Sequence, residues 1–349
     1  MTVSLAGIAT AVPPHDLPQD LVQRRAQAIL GPRYPQFDRM LASFVNSGIE
    51  TRHSVVPIGW FEAPQTWKSR NDAFLAGGTE MFVDAATAAL DRAGWSAGEV
   101  DTIVSVTSTG VATPTFEALA ARRMGFRADV MRVPVFGLGC AGGVSGLGIA
   151  RDLASARPGS KVLLVVLETC TLSFRSDRLQ KADIIATVLF GDGAAAACLS
   201  TDADGPVLGA GVQHMWPETL GIMGWDVDDE GLGVVFDRSI PAFASRHFAE
   251  AVRAARPAGA PDRMVCHPGG TKVVEAIEGA LELAPGTLDV EREVLRDHGN
   301  MSAPTALFVL EAALSRGIAG DLLLAALGPG FTASFVPIRA EAVEMRAAA

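Results

Sequence analysis

The chain repeats itself, and that repeat limits what it can fold into more than any single motif does. The first copy runs from the strand-like DTIVSVTS (101–108), through a Gly-rich turn at Cys140 and a helical stretch, to KVLLVVLE (161–168). The second runs from RMVCH (263–267), through GNMSAPTALFVLEAAL (299–314), to DLLLAAL (321–327). Ser108 to Cys140 is 32 residues and His267 to Asn300 is 33; Cys140 to Leu164 and Asn300 to Leu324 are both 24. Each copy closes after a Gly-rich turn, FGDGAAAACLS in one and GPGFTASFVPIR in the other. Any α/β protein alternates at about 30 residues per βαβ unit. Gaps that match on both sides of the central turn go further and point to one α/β unit duplicated. The turn-rich STDADGP (200–206) marks the junction, giving halves of 1–203 and 204–349.

A pseudo-two-fold of this kind brings equivalent turns face to face. Cys140 and Asn300, each opening a helix, are then expected to meet near the middle. His267, at the end of a second-half strand, is placed to join them. At 49% hydrophobic and 19% charged, the chain has the material for a large buried core. Its net charge of −10 argues against nucleic acid as a partner, since phosphate binding needs a basic stripe. The longest aliphatic runs, such as VLLVVL (162–167), are too short to span a bilayer. MTVSLAGIATAVPP lacks the basic start of a secretory signal, so a cytoplasmic protein without membrane insertion is expected. The cysteines at 140, 170, 198 and 266 form no CxxC, and the spacing suggests neither a zinc site nor a disulfide framework.

The stretch VFGLGCAGGVSGLGIARDLA (135–154) admits two readings. Gly137, Gly139 and Gly142 spell GxGxxG after a short apolar run, and Glu168 ends the next strand as a carboxylate that could hold a ribose. Against a dinucleotide loop, an earlier strand-helix unit precedes the motif, and Glu168 lies 26 residues beyond Gly142. The alternative is a turn that presents Cys140 at a helix N-terminus, where unpaired N–H groups and the helix dipole favour a thiolate. The glycines at 139, 142, 143 and 146 let such a turn bend and its helix pack closely. Taken singly, Cys140 is a core thiol, His267 a structural strand-end residue and Asn300 a cap. Together they supply a nucleophile, a proton-handling group and an amide donor. Cys, His and Asn in this order also describe a papain-like cysteine hydrolase, but a duplicated α/β unit has no place in one.

GCAGGVSGL, LFGDGAAA, HPGG, GNMSAPT and GPG occur in the order and spacing of the type III polyketide synthases, the chalcone synthase superfamily, which this chain resembles over nearly its whole length. Ketoacyl-acyl carrier protein synthase III shares the fold and the Cys-His-Asn set. Its motifs read more like HQAN and GNTS, so HPGG and GNMS favour the polyketide synthases. The resemblance implies a five-layered thiolase-like α/β fold of two duplicated halves, assembled as a homodimer. It implies an acyl-CoA starter loaded on Cys140 and extended by decarboxylative condensation with malonyl-CoA, then cyclised to a pyrone or a resorcinol- or phloroglucinol-type product. His267 and Asn300 would hold the enolate, and no cofactor is needed, since CoA arrives as part of the substrates.

The resemblance also marks Phe190 as a gate between the CoA tunnel and the cavity, and Gly269 and Ser302 as substrate-binding. A second gate phenylalanine of the family is replaced by Val234. The basic residues that hold CoA phosphates in plant members have no clear match; Arg39 and Arg52 stand in that region. PETLGIMGWDVDDEGLGVVF (217–236) looks more like bacterial alkylpyrone and alkylresorcinol synthases, which accept fatty acyl-CoA. With Val234 leaving space and the small Cys170 and Ser173 lining it, a medium or long acyl starter is expected.

Overall fold

A computed structural model describes residues 2–34, 36–178 and 180–341. The first half contributes β1 (Val3–Ala11), β2 (His15–Asp16), β3 (His53–Ser54), β4 (Thr102–Val106), β5 (Met131–Val135), β6 (Val162–Thr169) and β7 (Asp192–Ser200). The second contributes β8 (Val207–Leu208), β9 (Val212–Met215), β10 (Met223–Asp228), β11 (Gly231–Phe236), β12 (Arg263–Cys266), β13 (Gly320–Gly328) and β14 (Thr332–Ala340). The main sheet runs β12-β13-β14-β8-β1-β7-β6-β4-β5, with β9 on the side of β14.

The repeat is visible in the pairing. β4 lies parallel to β6, which runs antiparallel to β7, which runs antiparallel to β1. β12 lies parallel to β13, then β14 and β8 follow antiparallel. The very short β8 pairs with both β14 and β1, through Ile338↔Leu208 and Val3↔Leu208, and so joins the two half-sheets into one.

Both faces of these strands are covered, which is why VLLVVL is apolar throughout instead of alternating. Val162, Leu164 and Val166 point to a central layer shared by the halves, whereas Leu163, Val165 and Leu167 point outward. In β13, Leu322 and Leu324 face the same centre and Leu323 and Leu327 face away. The central layer holds the helices Gly142–Ala156 and Thr305–Ser315. Outer helices, Trp67–Ala93 on one side and Ile240–Ala255 with Thr271–Ala280 on the other, complete the five layers that the resemblance implies. Among the described residues, no helix is long and apolar enough to cross a membrane.

The middle is tight. A Cβ on Gly143 would sit 2.2 Å from the backbone oxygen of Ala303, and one on Gly146 would sit 2.8 Å from a methyl of Val106. The glycines therefore let one central helix lie directly on the other half's turn and on β4.

Candidate active site

Cys140 sits in a 3-10 turn, Gly139–Ala141, that runs straight into the helix Gly142–Ala156. The turn needs glycine before the thiol, because Gly139 has φ +46° and a Cβ there would lie 2.6 Å from Pro329. The GPG turn of the other half closes over this one: a Cβ on Gly328 would come within 2.6 Å of Leu138 O. The motif's second and third glycines are thereby buried against the other half, and Glu168, itself fully buried, is not available to a ribose. Its carboxylate accepts from Ser108 N (2.9 Å), Ser108 Oγ (2.7 Å), Thr109 Oγ1 (2.7 Å) and Thr107 Oγ1 (3.2 Å).

His267 follows β12, where its N–H donates to Ala325 O at 2.9 Å. Its ring is buried, and neither Nδ1 nor Nε2 has a hydrogen-bond partner among the described residues. Asn300 is fully buried and its amide is fixed at both ends. Nδ2 donates to Gly269 O at 3.1 Å, and Oδ1 accepts from Ser302 N at 2.8 Å. An amide nitrogen carries two hydrogens, so one N–H is left for a ligand. Ser302 Oγ in turn donates to Cys140 Sγ at 3.4 Å. Cys140, His267 and Asn300, widely separated in sequence, all line one apolar cavity with Gly269, Met223 and Phe236.

Burial acts against charge on both partners. It pushes the Cys140 thiol up to about 11, with the Glu168 carboxylate adding to the rise and the Ser302 hydrogen bond opposing it. It holds the His267 imidazole down to about 4. The helix-terminus reasoning predicts a lowered thiol; removal from water pulls the other way, because little solvent reaches the sulfur. Thiol and imidazole are thus each neutral alone, and a thiolate–imidazolium pair forms only by transfer of one proton between them.

A second cavity, on another side of Cys140, is lined by Cys170, Phe190, Val234, Trp225, Phe236 and Ser302. Phe190 and Val234 therefore do share a wall, and both pack with Cys170 and Ala186. The Phe190 segment is tied to Asn300: Asn300 N donates to Leu189 O (2.8 Å) and Gly191 N to Asn300 O (3.0 Å). Ser173 Oγ donates to Cys170 O at 2.7 Å, and the residue lines a further cavity that it shares with Cys170 and Phe190, beside the two that hold Cys140.

Arg52 is not a surface phosphate ligand. It is 1% exposed, and its Nη1 donates to Thr187 O (2.8 Å) and Phe190 O (3.2 Å). Arg39 is exposed. Sequence reasoning missed Trp225, whose ring lies edge-on 6.4 Å from that of Phe190, and Phe236, which lines both cavities at Cys140. The alternation of MGWDVD and GLGVVF about a turn, seen now as the hairpin β10–β11, was the available signal.

Comparison with known proteins agrees with this architecture. Residues 58–203 match the model of the chalcone and stilbene synthases' N-terminal domain, and 207–341 match that of their C-terminal domain. A 1,3,6,8-tetrahydroxynaphthalene synthase of Streptomyces peucetius subsp. caesius is 38% identical, over 96% of this chain and 93% of the relative. A putative chalcone synthase of Bacillus subtilis (strain 168) is 30% identical, over 95% of this chain and 97% of its own. The crystal structure of 1,3,6,8-tetrahydroxynaphthalene synthase from Streptomyces coelicolor A3(2), a bacterial type III polyketide synthase, superposes with a TM-score of 0.92. The two are 26% identical, and the match covers 97% of this chain and 99% of that one. The chain belongs to the chalcone synthase superfamily and is a type III polyketide synthase, an acyl-transferring, decarboxylating condensing enzyme.

Proposed function

We propose that Cys140 carries the growing chain while His267 and Asn300 hold the enolate. The observation that carries this reading is the one apolar cavity lined by all three side chains. Cys140 gives its proton to His267, and the thiolate attacks the thioester carbonyl of the starter; CoA leaves as its thiol, taking the proton back. Malonyl-CoA then binds, and its C–C bond to the carboxylate breaks. CO₂ departs, and the electron pair moves onto the thioester oxygen of an enolate. The neutral His267 N–H and the free Asn300 N–H donate to that oxygen from buried positions on an apolar cavity wall, where such bonds are stronger than in water. The enolate carbon attacks the Cys140 thioester, the thiolate is released, and the lengthened chain can return to it. Cys140→Ala should end acyl-enzyme formation and product release but retain part of the malonyl-CoA decarboxylation. Asn300→Ala should do the reverse, lowering decarboxylation about 100-fold while Cys140 is still acylated. Normal product from Cys140→Ala, followed by mass spectrometry, would overturn the assignment.

For the starter, the lining favours an aliphatic chain. Cys170 and Phe190 also line a further cavity walled by Leu17, Val22, Ala26 and Ile29. Each CH₂ buried there gains about 0.8 kcal/mol, roughly fourfold in affinity. A second reading, with no long starter and a naphthalene-type product, is favoured by the 38% identity to a tetrahydroxynaphthalene synthase. Incubation with malonyl-CoA alone, against malonyl-CoA plus an acyl-CoA chain-length series, separates them. Products that retain the added acyl chain support the first, and a single product indifferent to it supports the second.

A further inference from the structure

The cavity behind Phe190 has one feature that an aliphatic lining does not require. It opens to the surface, and Arg52 forms part of its wall among Leu17, Val22, Ala26 and Ile29. Nη1 of Arg52 is occupied by the carbonyls of Thr187 and Phe190. Nε and Nη2 are buried and have no acceptor among the described residues. These two atoms are neighbours on one edge of the guanidinium, and their N–H bonds run parallel. That edge is the fork which grips a carboxylate through two hydrogen bonds at once. No carboxylate among the described residues lies within ion-pair distance of it. Arg25, which also lines this cavity, is already paired with Glu62 at 2.7 Å. A buried cation whose paired donors are unused, set in an apolar wall, is complementary to an aliphatic chain that ends in an anion.

We propose that this cavity binds an aliphatic carboxylate, with its hydrocarbon against the Gln19–Leu30 helix and its carboxylate on the Nε–Nη2 edge of Arg52. The ligand has two sources with the same chemistry. It is either the distal carboxyl of a dicarboxylic starter loaded through its other end, or a free fatty acid. The first source rests on the reading of Cys140 as the loading nucleophile; the second does not.

Thermal unfolding of the full chain with octanoate, and with octanol as a neutral match, tests the site itself. Octanoate should raise the midpoint well beyond octanol, and Arg52→Met should remove the difference. If Arg52→Met does not fold, Ala26→Phe keeps the guanidinium and fills the cavity, and it should abolish the octanoate effect. Turnover of suberyl-CoA against octanoyl-CoA then identifies the source. A preference of about tenfold or more for suberyl-CoA, lost in Arg52→Met, assigns the carboxylate to the starter. An octanoate effect without that preference assigns it to a free acid. Loss of all turnover with the octanoate effect intact would fault the Cys140 reading and leave this site standing. Equal stabilisation by octanoate and octanol, or an octanoate effect that survives both variants, overturns the proposal.

Discussion

Ser302 has φ +59°, a left-handed backbone that a residue with a Cβ rarely adopts. Such a conformation costs about 1–2 kcal/mol, and here it sets two contacts at once. The Ser302 N–H fixes the carbonyl end of the Asn300 amide, and the hydroxyl reaches the Cys140 sulfur. The pair of shifted pKa values makes a prediction at the same scale. A raised thiol pKa means that less thiolate is present at any given pH, and only proton transfer to His267 offsets this. In His267→Ala that acceptor is gone while the burial remains. The midpoint of Cys140 alkylation by iodoacetamide should therefore move up towards about 11. In the native protein it should lie lower, and Cys170, Cys198 and Cys266 should label slowly, since burial raises each of them too. Identical pH profiles for the two proteins would show that His267 does not take the proton. That Cys140, His267 and Asn300 would meet was legible because Cys140 stands at the start of a helix, His267 ends a strand, and Asn300 falls at the spacing that repeats that of Cys140, five residues before its own helix. Their protonation was not legible, because it depends on how completely the surrounding layers exclude water.

At the scale of elements, the close approach of the two halves rests on glycine. Gly143→Ala places a methyl against the Ala303 carbonyl, a backbone atom that cannot rotate away. The central helix must then back off from the turn that carries Asn300 and Ser302. Overpacking of this kind costs about 1–3 kcal/mol. The urea midpoint should fall by a corresponding amount, and condensation should fall more steeply than the folded fraction does. A variant as stable and active as the native protein would show that the helices have slack here. The strands expected at 101–108, 161–168, 263–267 and 321–327 are found as β4, β6, β12 and β13, each within two residues at either end. A continuous apolar run between turn residues is a strong local signal. The hairpin β10–β11 was passed over as a unit, although it brings Trp225, Val234 and Phe236 to the cavity. Its strands are only partly buried, so their alternation is weak, and the turn depends on Asp228, whose Oδ1 accepts from the N–H groups of Glu230 and Gly231.

In the whole molecule, β5 ends the sheet, and its outer edge pairs with nothing among the described residues. Beside it Phe136 is 64% exposed and Met131 37%, an apolar rim next to open backbone groups. The family is typically dimeric, and this edge offers a second copy unpaired backbone groups beside an apolar rim. Phe136→Asp should shift the protein towards monomer in size-exclusion chromatography with light scattering, and an unchanged mass would place the interface elsewhere. The sequence alone determined the duplicated α/β plan and which polar residues would meet at its centre. Both depend on short-range patterns that a chain carries with it: apolar runs, glycine turns and helix openings at matched intervals. It could not show that β8 would join the half-sheets, that Cys170 would border both a Cys140 cavity and the one behind Phe190, or that Arg52 would be buried with two donors unused. Those outcomes depend on which distant segments come to lie together, as Val22, Phe61 and Phe190 do around one cavity. Periodicity tells which side chains leave water, but not what they meet when they do; only the packed layers decide that.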